Sequence, residues 1–180
     1  MERARLPVIA WFSGLSGSGK TTIAAAARQA WPADAGALTV LDGDELRRGL
    51  SAGLGFSPAD RAENLRRAAE AACLLADAGV SVLAALITPT RADRQVVVDV
   101  VGRRHRLLWI AITTPLAVCE ARDVKGLYRR ARAGEIRQFT GLDAAFEPLA
   151  DADLQLDGGS GTPAESAARL ISLMTGRTPG

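Results

Sequence analysis

The chain has 180 residues, 48% of them hydrophobic and 23% charged, with a formal net charge of +2. That length suits one domain, residues 1–180, with a real core, and so balanced a charge does not by itself point to nucleic acid. No apolar run reaches the length of a membrane span, and the short charged start, residues 1–7, runs straight into a strand-like segment, so no signal peptide is expected.

Residues 8–12 read as a buried strand and residues 22–27 as a helix. Between them lies Gly14-Leu15-Ser16-Gly17-Ser18-Gly19-Lys20-Thr21, a complete G-x-x-x-x-G-K-[ST] phosphate loop followed by Thr22. Glycines let backbone N–H groups turn toward phosphate oxygens. Lys20 is placed to meet the β- and γ-phosphates, and the Thr21 hydroxyl to meet Mg²⁺. The helix that follows adds its positive end. Lysine is rare here, two residues against twenty arginines, and the other is Lys125.

The next strand, residues 38–41, ends at Asp42-Gly43-Asp44. Two carboxylates at a strand end suit metal binding and orientation of an attacking hydroxyl; a solvated turn with Asp44 capping a short helix is the plainer alternative. Residues 58–78 carry apolar positions every three or four residues, with Ser57 as N-cap and Gly79 as stop. Arg61 and Asn64 share a face of that helix. They bind an anion and a sugar or base edge, or they form part of a solvated charged face. Phe56, in a Gly/Pro-flanked loop, is either a core plug or a platform for a base.

Residues 80–87 form the third strand, 91–101 a helix, 107–112 the fourth strand, 154–156 a short fifth, and 163–174 the closing helix. Alternating β and α predicts an α/β fold of three layers, a mostly parallel central sheet with helices on both faces. Ligands of such sheets sit beyond the carboxyl ends of the strands. The loops at 14–21, 42–48, 87–94 and 113–125 all fall there. Residues 122–137 hold six positive and two negative side chains. This segment suits a basic lid over phosphates, with Arg122, Arg129, Arg130 and Arg132 among its arginines; a nucleic-acid patch is the rival. Cys73 and Cys119 lack metal spacing and read as buried thiols, which fits a reducing cytoplasm. His105, in a basic run, reads as part of a solvated loop.

Taken together these residues resemble the adenylyl-sulfate kinase family of P-loop kinases. The resemblance rests on residues 14–22 (GLSGSGKTT), 41–50 (LDGDELRRGL), 54–67 (LGFSPADRAENLRR) and 114–141 (TPLAVCEARDVKGLYRRARAGEIRQFTG). It implies transfer of the γ-phosphoryl of MgATP to the 3′-hydroxyl of adenylyl sulfate. Gly14, Ser16, Gly17, Ser18, Gly19, Lys20, Thr21 and Thr22 would bind ATP, and Thr21 with Asp42 would hold Mg²⁺. Lys20, Asp42 and Asp44 would be catalytic, with Asp44 orienting the hydroxyl. Phe56 and Phe139 would stack on the acceptor's adenine. Arg47, Arg61, Asn64, Ile87, Thr88, Lys125 and Leu127 would complete the acceptor site, and residues 122–141 the lid.

The chain departs from the family's usual [IV]-S-P-[YF]-R, reading Ile87-Thr88-Pro89-Thr90-Arg91. The change motivates a related kinase with a shifted acceptor as one alternative; a silent nucleotide-binding module is another. A GTPase is excluded, because Asn64 is the single asparagine and lies in no N-K-x-D motif. The family's N-terminal extension is not matched. A homodimer and joint action with a sulfate adenylyltransferase stay open, and no nucleic-acid or membrane partner is expected.

Overall fold

The computed structural model describes residues 6–177. The reading of the N-terminus as free of a signal peptide falls largely on residues 1–5, outside that range. Five parallel strands form one sheet: β1 Val8–Ser13, β2 Leu38–Asp42, β3 Ser81–Ala85, β4 Arg106–Ile112 and β5 Leu154–Leu156. Their spatial order is β2-β3-β1-β4-β5. β1 lies in the middle because all six of its residues are buried. It pairs Trp11 with Ala84 of β3 on one side and with Trp109 of β4 on the other.

Strand alternation sorts the core into two halves. Val8, Ala10 and Phe12 face one side with Leu83, Ile110 and Leu156. There they meet α1 (Lys20–Gln29) and α7 (Pro163–Thr175) through Ile23, Ala27, Leu170 and Met174. Ile9 and Trp11 face the other side with Val82 and Ala84. That half is closed by α3 (Pro58–Asp77) and α4 (Arg91–Val101). Small buried residues on α3 (Ala68, Ala69, Ala72, Ala76) let it lie close to the sheet. The result is the expected three-layer α/β fold.

Local chemistry sets the helix starts. Ser57 accepts from the Asp60 N–H, with Pro58 at the first helical position. Thr90 and Thr162 close full capping boxes with Asp93 and Glu165. Three short helices, α2 (Gly43–Arg48), α5 (Leu116–Arg122) and α6 (Leu127–Arg132), complete the set. They lie in the loops that follow β2 and β4.

Some details differ from the sequence reading. β3 stops at Ala85 rather than residue 87, since Thr88 turns to φ 47° and Pro89 offers no N–H to a ladder. Asp42, not Asp44, caps α2: its carboxylate accepts the Asp44 N–H at 2.9 Å. His105 is not solvated; its side chain is only 12% exposed and lies 3.0 Å from Asp77. Both cysteines are buried, as expected. Among the described residues no helix is long and apolar enough to cross a membrane.

Leu170 is fully buried between α7 and the sheet. Leu170→Ala should therefore cost about 2–5 kcal/mol. In urea this appears as a lower midpoint with an unchanged slope.

Candidate active site

The carboxyl ends of the strands open into a cleft of about 910 Å³. β1 delivers the phosphate loop to its floor. Gly19 precedes α1 at φ 104°, a backbone state that glycine adopts without strain. The N-terminus of α1 then points its free N–H groups at the cleft. Lys20 is buried and folds back on the loop, donating to the carbonyls of Gly14 at 2.9 Å and Leu15 at 2.6 Å. Burial, with help from the Lys125 charge, lowers its pKa to about 8.

Thr21 Oγ1 donates to Asp42 Oδ2 at 2.7 Å. A hydroxyl beside a carboxylate, both on the cleft, is a hard-oxygen pair of the kind that holds Mg²⁺ with substrate phosphates. Asp44 also lines the cleft and is ion-paired with Lys125, which reaches over from the α5–α6 connection.

The opposite wall comes from α2, α3 and the segment around Phe139. Phe56 is 61% exposed, so it is no core plug. The Arg47 guanidinium sits 4.4 Å over its ring, and burial with the neighbouring Arg61 charge lowers the Arg47 pKa. Phe139 meets the Tyr128 ring edge-on at 4.9 Å. Arg61 ties the two aromatic segments together: Nε donates to the Phe56 carbonyl at 2.9 Å, Nη1 to Thr140 Oγ1 at 2.7 Å, and Nη2 to the Gln138 carbonyl. Asn64 is 5% exposed, lines the cleft, and leaves its buried Oδ1 without a hydrogen-bond partner. A buried orphan acceptor at a cleft is a feature that a ligand donor would satisfy. Arg66 and Arg67 turn away to Glu63.

Ile87, Thr88, Lys125 and Leu127 line the same cleft. Thr88 does so from behind, since its hydroxyl accepts from Trp11 Nε1. Of the lid arginines, Arg122 lies at the cleft and donates to the Gly158 carbonyl at 2.6 Å. Arg130 and Arg132 pair instead with Glu135 and Glu120. Neither they nor Arg129 lines the cleft. Six consecutive helical residues spread their side chains around the axis, so a dense charge run does not put every arginine on one face.

The sequence reading missed the segment after β5. Asp157, Gly158, Ser160, Gly161, Thr162 and Ser166 all line the cleft. The available signal was a Gly/Ser cluster following a parallel strand, the same position that flagged the other loops. Gly158 is required there, because an added Cβ would lie 2.2 Å from the Ser18 carbonyl oxygen.

Comparison with known proteins agrees with this geometry. The family model described as adenylylsulphate kinase matches residues 6–157. An adenylyl-sulfate kinase of Erwinia tasmaniensis is 53% identical over 150 residues, covering 83% of this chain and 74% of its own length. The Mycobacterium tuberculosis APS kinase, solved in complex with AMPPNP and APS, superposes with a TM-score of 0.89 at 43% identity. That match covers 93% of this chain and 96% of the other. A gluconokinase of Sinorhizobium meliloti, 17% identical, shares the fold alone, with a TM-score of 0.60 over 96% of this chain and 95% of its own.

Two predictions follow from the phosphate loop. Phosphate binding favours the charged form of Lys20, so its bound pKa exceeds the free value of about 8. Affinity for a non-hydrolysable ATP analogue should hold below that pH and fall above it, by up to about tenfold per unit. Calorimetric titration from pH 7 to 10 checks this, and Lys20→Ala should bind weakly with no such dependence. Gly158→Ala should weaken binding of the same analogue by distorting the loop at Ser18. The chain's loop, cleft and sequence relationships place it in the adenylyl-sulfate kinase family.

Proposed function

We propose that this chain transfers the γ-phosphoryl group of ATP to the 3′-hydroxyl of adenylyl sulfate, giving 3′-phosphoadenylyl sulfate and ADP. The observation that carries the reading is one cleft with two chemically distinct walls. A complete phosphate loop lines one wall, and two aromatic rings with the orphaned Asn64 acceptor line the other. The M. tuberculosis relative is described with an ATP analogue and APS bound together.

In this reading residues 14–22 hold the donor. Thr21 and Asp42 hold Mg²⁺, which when bound neutralises charge on the phosphates. Lys20 leaves the loop carbonyls for the β- and γ-phosphates. Phe56 and Phe139 sandwich the acceptor's adenine, and Arg47 supplies positive charge beside it. Asp44 orients the 3′-hydroxyl once Lys125 releases it to pair with the acceptor's anion. The hydroxyl oxygen attacks the γ-phosphorus in line, the bond to the β–γ bridging oxygen breaks, and the hydroxyl proton passes to Asp44. Residues 122–141 act as the lid of a single kinase domain, excluding water that would otherwise take the phosphoryl group. The acceptor must come from a reaction that adenylylates sulfate, which suits a cytoplasmic enzyme beside a sulfate adenylyltransferase.

The test is ADP release with MgATP and a panel of adenylyl sulfate, AMP and gluconate. Turnover with adenylyl sulfate supports the reading; turnover only with another acceptor overturns it. Lys20→Ala should lower kcat by about 10²–10³-fold. Phe56→Ala should raise the acceptor KM by on the order of tenfold and leave the ATP KM and circular dichroism unchanged, as befits an exposed ring.

A further inference from the structure

The residue behind the acceptor wall is held in an unusual way. Thr88 is β-branched, sits at φ 47° and is 1% exposed. For such a residue that conformation is strained. β1 and the residue after it supply the bonds that hold it. Trp11 Nε1 donates to Thr88 Oγ1 at 2.8 Å, and Ser13 Oγ donates to the Thr88 carbonyl at 3.0 Å. The Gly14 N–H donates to the Ile87 carbonyl at 3.1 Å. Trp11 and Ser13 are two apart on one strand and therefore share a face. Trp11 otherwise packs among apolar side chains such as Ile9, Val97 and Val101, with Trp109 edge-on at 6.5 Å. An indole N–H in that setting needs an acceptor, and Thr88 provides it.

These bonds run from the strand that carries the phosphate loop to the segment that walls the acceptor. Ile87, Thr88 and Pro89 border the cleft, and Gly14 opens the loop. We propose that Trp11, acting through the Thr88 hydroxyl, is a positioning residue: this clasp fixes the 87–89 wall against the phosphate loop and sets the reach between donor and acceptor. Transfer depends on that reach, because small misplacements of reacting groups cost large factors in rate. The inference rests on the kinase reading above for the identity of the acceptor.

Three substitutions test it. Trp11→Phe keeps a ring and removes the N–H. Thr88→Val keeps the branched shape and removes the hydroxyl. Thr88→Ser keeps the hydroxyl and relieves the branch. Trp11→Phe and Thr88→Val should each lower kcat/KM for adenylyl sulfate about tenfold, the effect of one lost buried hydrogen bond at the site. The KM for ATP should stay within about twofold, and Thr88→Ser, which restores the hydroxyl, should recover most of the kcat/KM that Thr88→Val loses. Each damaging change should lower Tm by about 2–4 °C, and the double variant should be no worse than the worse single one in Tm or in rate. Equal losses toward ATP and acceptor, additive losses in the double variant, or a Thr88→Ser as impaired as Thr88→Val would each overturn the proposal. The Tm coupling is read without any acceptor. A wild-type protein that ignores adenylyl sulfate therefore overturns the acceptor reading, whereas missing coupling overturns the clasp.

Discussion

The phosphate loop keeps its shape because its own carbonyls and amides are tied to elements from the rest of the chain. The Gly14 amide bonds to Ile87, the Ser16 carbonyl accepts from Tyr128 Oη, and the Ser18 carbonyl accepts from Thr114 Oγ1. Lys20 bridges two loop carbonyls from within. Outward-facing carbonyls are what such a loop must satisfy if its amides are to face phosphate. Thr114 after β4 and Tyr128 of α6 satisfy two such carbonyls, and Ile87 after β3 accepts the Gly14 amide. The shape of the phosphate loop is thus held by the whole sheet edge, and the motif alone does not fix it.

Strain gathers at the same edge. Among the described residues the three non-glycine positions with positive φ are Thr88, Asp123 and Gln138. Thr88 backs the 87–89 wall of the cleft, and Asp123 accepts the Tyr128 and Arg129 N–H groups at the start of α6. Gln138 precedes Phe139 and gives its carbonyl to Arg61. Each strained residue is held by bonds from a different element, the condition under which strain persists at functional sites.

Much of this was legible in the sequence. The strand–loop–helix flanking of residues 14–21 located the loop at the floor of the cleft, and periodicity located α3 with its cap. Position at strand ends drew Asp42 and Asp44 into the cleft. What stayed hidden depended on direction rather than residue type. Charge counting singled out residues 122–137, but pairing with Glu120 and Glu135 turns Arg132 and Arg130 elsewhere. Thr88 sits where the sequence placed it, yet its hydroxyl is committed to an indole 77 residues away. Thr90, which stands where the family motif has an aromatic, is the N-cap of α4. The segment after β5 carries little charge and no aromatic, so it offered only turn residues to a reader of sequence.

Arg61 is one side chain serving two distant stretches of chain. Its guanidinium is planar and rigid, and it bonds at once to the Phe56 carbonyl and to the Gln138–Thr140 segment. The two stretches that carry Phe56 and Phe139 are therefore tied across the width of one guanidinium. A substitution at position 61 would keep both aromatic residues and remove the tie between the stretches that carry them.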